Sequence, residues 1–158
     1  MKDRVKRLMI AAGACVGFAT AGTLLTGDAL EVWYPSLNQP SYALPLTGWL
    51  VVGVLYYFIV GAVLFRVLAL PRGSSRTRLL LATAAVMASN EAWNILLFGL
   101  RSPRAAFFGL IPFCALVLGL CLALRRADRI AARLLLPYLA WLAYDLVWTR
   151  ALWRLNPQ

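Results

Sequence analysis

Histidine is absent from the sequence, and only six acidic residues accompany sixteen lysines and arginines. Histidine is a common protein ligand of haem iron and of catalytic zinc, so we expect neither a metal site nor a bound metal cofactor. Cys15, Cys114 and Cys121 all lie within apolar runs, which argues against a disulfide framework. The sequence also lacks a glycine-rich phosphate loop, a nucleophile elbow and the repeated halves of many transporters. Any ligand is therefore expected to be held by shape, by aromatic stacking and by a few amides.

Apolar residues are what the sequence has in abundance, since 62% of it is hydrophobic and the mean hydropathy is +0.74. A soluble chain of 158 residues would expose much of this surface, so the composition predicts an integral, multi-pass membrane protein. A helix crosses the hydrocarbon core with roughly 20 apolar residues. Five runs of about this length cover residues 8–25, 44–65, 79–100, 105–124 and 134–155. They predict an all-α fold, a bundle of five transmembrane helices in one domain over residues 1–158, with a lid loop at 26–43.

The basic residues lie between the apolar runs, so the formal net charge of +10 indicates membrane topology rather than nucleic-acid binding. On the side of the amino terminus lie Lys2, Arg4, Lys6, Arg7, Arg66, Arg72, Arg76, Arg78, Arg125, Arg126, Arg129 and Arg133. The opposite side carries only Arg101, Arg104, Arg150 and Arg154. By the positive-inside rule, the amino terminus is predicted to be cytoplasmic and the carboxyl terminus to lie outside.

The first apolar run has a second interpretation, because it follows four basic residues and ends near an Ala-Thr-Ala sequence, as a secretory signal would. The run is long for a signal, and Gly13, Gly17 and Ala21 form a ridge of small residues that suits helix packing. We therefore predict a first spanning helix. A second ridge of this kind, on the third run, is Ala84, Ala88 and Ala92.

Residues 33–57 combine aromatic residues with three prolines before a long apolar run. Pro35, Pro40 and Pro45 remove backbone donors and fix φ, so the part before Pro45 cannot form one regular helix. The large rings with polar tips in this segment are Trp33, Tyr34, Tyr42 and Trp49. Such rings either form the aromatic belt at a membrane surface or close over a flat apolar ligand.

Polar residues interrupt the third and fifth spans at mid-depth, where they are costly unless they face the bundle interior. Asn90, Trp93 and Asn94 share one stripe of the third span, and Glu91 lies beside them. On the fifth span, an aromatic stripe that contains a carboxylate is formed by Tyr138, Trp141, Asp145, Trp148 and Leu152. These groups either hydrogen-bond between helices or serve a ligand. Glu91 and Asp145 could also form a proton-linked or catalytic pair.

A loose pattern proposed for cholesterol contact consists of Leu or Val, then Tyr, then Lys or Arg. Leu142, Tyr144 and Arg150 match it on the fifth span. Many unrelated sequences match this pattern, so these three residues are only a candidate surface for sterol contact.

Three blocks of the sequence are similar to the motifs of one known family. The first block consists of Trp33-Tyr34, Leu37, Pro40, Pro45, Trp49 and Tyr56-Tyr57. The second consists of Asn90, Trp93, Phe98-Gly99 and Arg101, and the third of Pro137-Tyr138, Trp141 and Leu155-Asn156. In this order they resemble the loop, third-helix and fifth-helix motifs of the tryptophan-rich sensory protein / translocator protein family (TspO/MBR, peripheral benzodiazepine receptor-like). The chain would be a divergent member.

The resemblance implies five transmembrane helices, a homodimer, and a pocket closed by the loop between the first two helices. Ligands of the family are porphyrins such as protoporphyrin IX, cholesterol in animals and benzodiazepine-type drugs, and some bacterial members promote light-dependent porphyrin breakdown. By this resemblance the ligand-binding residues would be Trp33, Tyr34, Pro45, Trp49, Asn90, Trp93, Tyr138 and Trp141. The chain departs from the family at Asp145, which puts a carboxylate at or near the ligand wall.

The sequence therefore predicts a membrane receptor or sensor that binds a flat hydrophobic ligand in a lipid membrane. The resemblance makes a porphyrin the expected ligand, rather than a cofactor, with a role in tetrapyrrole sensing, transport or light-dependent degradation, and it leaves turnover open. One alternative is a small membrane enzyme or proton-coupled transporter that uses Glu91 and Asp145. Another is a structural or assembly subunit whose aromatic residues are interfacial belts.

Overall fold

The computed structural model describes residues 1–157, which form helices and connecting segments without any strand among them. The helices are α1 (Lys2–Thr26), α2 (Leu46–Ala69), α3 (Ser74–Asn94), α4 (Pro103–Ala127), α5 (Arg129–Leu134) and α6 (Leu136–Leu155). A 3₁₀ turn (Tyr34–Ser36) lies between α1 and α2, and a π-helical turn (Ile95–Gly99) prolongs α3. The predicted all-α fold is confirmed.

Five helical stretches are long and apolar enough to cross a membrane. They are Lys2–Thr26, Leu46–Ala69, Ser74–Gly99, Pro103–Ala127 and Arg129–Leu155. Most of them extend beyond the apolar runs, because basic side chains at a helix end can reach the headgroups while their backbone stays helical. The five-helix membrane architecture is confirmed, and the orientation of the termini stays a prediction.

Proline and capping side chains fix where the helices begin. Pro45 precedes α2, and Pro103 occupies the first turn of α4. Backbone N–H groups in a first turn have no partner within the helix, so proline, which lacks an N–H, costs no hydrogen bond there. The Ser102 hydroxyl accepts a hydrogen bond from the Ala105 amide at 3.2 Å and so caps α4. Asp128 caps the short α5 in the same way and separates it from α4.

The core lies between α2, α3, α4 and α6, and α4 packs against α3, α5 and α6. By contrast, α1 packs on α2, α3 and the π-helical turn, and its buried residues are Ala11 and Gly22. Both ridges of small residues face away from this core. Ideal Cβ atoms at Gly13 and Gly17 would have no neighbour within 4 Å, and Ala84, Ala88 and Ala92 are exposed. The homodimer therefore stays a prediction with two available faces.

In the described part of the chain, one ion pair lies at each end of the bundle. The Arg66 guanidinium on α2 donates to both carboxylate oxygens of Asp128, at 2.9 and 3.0 Å. At the other end Arg101 contacts Asp28, which follows α1, at 3.2 Å. Arg101 has a φ of 50°, a left-handed conformation that is uncommon outside glycine and that turns the chain from α3 into α4.

Candidate ligand-binding cavity

A cavity of about 540 Å³ lies among α1, the lid segment (residues 27–45), α2, α3 and α6. Its walls are mainly aromatic. The aromatic lining residues are Tyr34, Trp49, Tyr56, Tyr57, Trp93, Phe98, Phe113, Tyr138, Trp141 and Trp148. Within the described chain the carboxylic acids in the lining are Glu31 and Asp145, and neither lysine nor arginine contributes to it. The cavity is therefore apolar, rich in rings and acidic.

The lid segment is held against the carboxyl-terminal half of α6. The Asn156 side chain accepts from the Asn38 amide at 2.9 Å and donates to the Asn38 carbonyl at 3.0 Å. Nearer the cavity, the Tyr144 hydroxyl accepts from the Leu44 amide at 3.2 Å and donates to the Tyr42 carbonyl at 3.2 Å. The polar contacts between the lid and α6 or the residue that follows it involve exposed groups, so water competes for each of them.

Replacing Asn156 with alanine is expected to loosen the lid, because both hydrogen bonds to the backbone of Asn38 depend on this side chain. Two such bonds contribute about 1 kcal/mol each, less where exposed, so the Asn38 amide should exchange with solvent about tenfold faster. Hydrogen-exchange measurements check this. Asn38→Ala is the matched control, because Asn38 takes part in both bonds through its backbone and its side chain makes only a long contact, 3.5 Å from Nδ2 to the Leu155 carbonyl. Equal acceleration in both variants would contradict the assignment.

Tyr34 is the lid residue that reaches into the cavity. The 3₁₀ turn buries its ring, whose centroid lies 6.2 Å from that of Phe98 and 6.4 Å from that of Trp148. Burial, with a smaller contribution from Tyr144 and Asp145, raises the pKa of Tyr34 to about 12. The phenol therefore stays neutral at physiological pH and forms part of an uncharged wall beneath the lid.

A cluster of indoles forms the wall between α2 and α6. The ring of Trp49, in the first turn of α2, lies 4.3 Å from that of Trp148 and 5.0 Å from that of Trp141, centroid to centroid. The spacing of seven residues puts Trp141 and Trp148 on one face of α6, two turns apart. Pro45 ends the lid and precedes α2, which begins at Leu46, so Trp49 lies in the first turn of the helix, where it lines the cavity.

Glu91 is buried beside the cavity and is satisfied by the protein. Its Oε1 accepts from the Tyr57 hydroxyl at 2.7 Å and from the Asn90 amide at 3.0 Å, and its Oε2 accepts from the Asn94 amide at 3.0 Å. The Tyr138 hydroxyl in turn donates to Asn90 at 3.3 Å. This network joins α2, α3 and α6, and Glu91 is not among the residues that line the cavity.

Asp145 is equally buried and has a different environment. It lines the cavity, only 3% of its surface is exposed, and its Oδ1 has no hydrogen-bond partner among the described residues. Thr149, one turn further along α6, donates instead to the backbone carbonyl of Asp145, at 2.6 Å. A buried polar atom without a partner is uncommon and costs free energy.

Unpartnered polar atoms are concentrated around this cavity. Among the residues that the structure describes, five of the six buried side-chain atoms without a partner belong to its lining residues. These atoms are Trp49 Nε1, Tyr56 Oη, Trp93 Nε1, Asp145 Oδ1 and Trp148 Nε1, and the sixth is Arg76 Nε. Four of the five are donors and one is an acceptor, so a ligand with polar groups at its edge could satisfy them.

Comparison with known proteins agrees with this arrangement. The sequence profile of the TspO/MBR family matches residues 10–154. The chain belongs to this family. It is 32% identical over 152 residues to the "Tryptophan-rich protein TspO" of Archaeoglobus fulgidus, covering 93% of this chain and 94% of the relative. It is 30% identical to the "Tryptophan-rich sensory protein" of Cereibacter sphaeroides (81% and 77% covered) and to the "Translocator protein" of Sus scrofa (89% and 83% covered).

This TspO/MBR chain brings most of the residues predicted to bind ligand into one place. Those that line the cavity are Tyr34, Trp49, Asn90, Trp93, Tyr138, Trp141 and Asp145. Trp33 and Pro45 do not line it. Trp33 packs against the core beside the 3₁₀ turn, and Pro45 is exposed at the start of α2.

Sequence reasoning left several lining residues out of the TspO/MBR candidate site. One of them is Trp148, which lies on the predicted aromatic stripe of α6, so the spacing of aromatic residues along this helix was sufficient to identify it.

The residues of the sterol pattern do not share a surface. Leu142 is buried in the bundle, Tyr144 bonds to the lid and Arg150 is exposed.

Proposed function

We propose that this membrane protein of the TspO/MBR family binds a flat, largely apolar ligand in the cavity beneath its lid. The observation that carries the proposal is the set of five unpartnered polar atoms on the aromatic walls. Polar atoms that are buried without a partner within the protein are typical of a site whose remaining partner is a ligand.

A porphyrin of the protoporphyrin IX type is the ligand class that we propose. A cavity of about 540 Å³ lies within the range of roughly 300–1,000 Å³ for small-molecule sites. The rings of Trp49, Trp141 and Trp148 offer faces and edges against which a planar macrocycle can stack. Since the described chain has no group of histidine, cysteine and acidic residues able to hold a metal ion, affinity would come from stacking and shape.

Sensing, transport or light-dependent breakdown of a tetrapyrrole is the role that this site would serve. Two of the relatives carry the names sensory protein and translocator protein, which supports the first two roles. The alternative built on Glu91 and Asp145 has less support. Glu91 already accepts three hydrogen bonds and does not line the cavity, so the two carboxylates do not face one substrate.

Titration of the detergent-purified protein with protoporphyrin IX, followed by tryptophan fluorescence in the dark, tests the proposal. We expect saturable quenching at micromolar porphyrin or below, and about tenfold weaker binding in Trp141→Leu, because one stacked ring is worth roughly 1–2 kcal/mol. Trp153→Leu is the matched control. Trp153 lies on the same helix but packs against Phe107 and Phe108, away from the cavity.

Three results would separate the possibilities. Saturation that weakens in Trp141→Leu alone supports a porphyrin in this cavity. Quenching that never saturates, or that falls equally in both variants, would contradict it. Spectral loss of the bound porphyrin under illumination, absent in the dark, would add light-dependent breakdown to binding.

A further inference from the structure

The two buried carboxylates of the membrane-spanning helices differ in one respect that bears on the ligand. Glu91 accepts three hydrogen bonds from protein side chains, whereas Asp145 Oδ1 accepts none from the described residues. Both are more than nine-tenths buried. Burying a carboxylate without a partner costs several kcal/mol. Asp145 lines the cavity, so the missing partner is expected in the cavity itself.

No donor side chain of the described residues is paired with Asp145 Oδ1. The hydroxyls of Thr149, Tyr138 and Tyr57 donate to the Asp145 carbonyl, to Asn90 and to Glu91 respectively. The indole N–H groups of Trp49, Trp93 and Trp148 have no acceptor among the described residues, so none of them is paired with Asp145. Neither lysine nor arginine contributes to the lining. An anionic group of a ligand, such as a porphyrin propionate, would find no counter-charge in this lining and would have to lie outside the cavity, whereas a donor would find an acceptor.

We propose that Asp145 is the specificity-determining acceptor of the site and selects flat ligands that present a protonated ring nitrogen. The cavity would then rank such ligands above isosteres that lack the N–H. The indoles around Asp145 support the same ligands, because aromatic faces attract cations and stack on heteroaromatic rings. This inference rests on the proposed binding of flat ligands and adds the chemical group that the site recognises.

Two sources share this chemistry, a protonated nitrogen heterocycle and the pyrrole N–H groups of a metal-free tetrapyrrole. The first pair of probes is 9-aminoacridine, a flat cation at neutral pH, and 9-aminoanthracene, its neutral isostere. The second pair is protoporphyrin IX and its nickel(II) complex, which lacks the pyrrole N–H. Nickel favours a square-planar environment, so Asp145 is not expected to bind it as an axial ligand.

Wild-type protein is expected to bind the member of a pair that carries the ring N–H at least about tenfold more tightly, as a hydrogen bond to a charged group implies. Asp145→Asn should reduce this preference, and Asp145→Leu should abolish it while binding of the other member is retained. Glu31→Gln is the matched control, because it removes the second lining carboxylate, which is exposed. Its effect on the preference should be smaller than that of Asp145→Asn.

The outcomes distinguish this inference from the proposed function. A preference within either pair that disappears in Asp145→Leu supports the inference and identifies which source the site takes. Equal affinities within both pairs, with saturable binding, would overturn the inference and leave flat-ligand binding intact. An equal loss in Glu31→Gln would also overturn it, because general attraction by charge would then be sufficient. No saturable binding of any probe would overturn both.

Discussion

Replacing Gly22 with alanine is expected to destabilise the bundle by about 2–3 kcal/mol, although alanine is the better helix former. Gly22 is buried on α1, and a Cβ atom built there would collide with Glu91 Oε2. Glu91 cannot move without loss, because Asn94 holds Oε2 and Tyr57 holds Oε1. The added methyl group would therefore either separate α1 from α3 or break these buried hydrogen bonds. Thermal unfolding of the purified protein, followed by circular dichroism, measures the loss.

Gly17→Ala is the matched control on the same helix. An ideal Cβ at Gly17 would have no neighbour within 4 Å, so the substitution should change stability by less than about 0.5 kcal/mol. The double variant Gly22→Ala with Glu91→Ala should lose less than the sum of its two single changes, because shortening residue 91 removes the collision. If Gly17→Ala and Gly22→Ala were equally destabilising, the collision with Glu91 would not be the cause.

Hydropathy and length were sufficient to predict the helices. They were not sufficient to predict which glycine of α1 packs closely against another helix. The sequence shows a regular ridge at Gly13, Gly17 and Ala21, and such ridges commonly mark helix contacts. In the bundle Gly13 and Gly17 face open space, and it is Gly22, outside the ridge, that lies against Glu91. Spacing along one helix says which residues share a face. It does not say which face meets a carboxylate on another helix.

The same limit applies to the two buried acids. In the sequence Glu91 and Asp145 are equivalent, since each interrupts an apolar span beside asparagine or aromatic residues. What separates them is the Tyr57 hydroxyl, which comes from α2 and reaches Glu91 but has no counterpart at Asp145. Hydrogen-bond satisfaction depends on partners from distant parts of the chain. A pattern within one helix cannot supply that information.

The lid illustrates how far motif resemblance extends. Trp33 and Tyr34 are adjacent and belong to one matched block, yet only Tyr34 lines the cavity. The 3₁₀ turn that starts at Tyr34 directs its ring inward and leaves Trp33 packed at the side. The resemblance therefore points to a segment that reaches the cavity through Tyr34, and the role of this segment in ligand binding stays a prediction. The local backbone path decided which of the two rings reaches the cavity.

Replacing Asp128 with alanine is expected to cost about 2–3 kcal/mol, because one carboxylate serves both an ion pair and a helix cap. It accepts two hydrogen bonds from Arg66, at 2.9 and 3.0 Å, and two from the amides of Ile130 and Ala131, each at 3.0 Å. These contacts fix the start of α5 against α2. Asp128→Asn should lose less, because asparagine retains the cap and gives up the charge. Asp28→Ala is the matched control, since its pair with Arg101 is exposed and should contribute less than about 0.5 kcal/mol.

Acid titration provides an independent check on Asp128. Burial raises its pKa, but the hydrogen bonds from Arg66 and from the α5 amides outweigh burial and hold the pKa below the ordinary value of 3.8. Because the folded-state pKa is the lower one, this contribution to stability is complete above the unfolded-state pKa and disappears as the pH falls through the folded-state pKa. The difference in stability between wild type and Asp128→Asn should therefore be constant near neutral pH and shrink below pH 3.8. A difference that is unchanged in acid would mean that the charge of Asp128 contributes nothing and that the cap alone stabilises this end of the bundle.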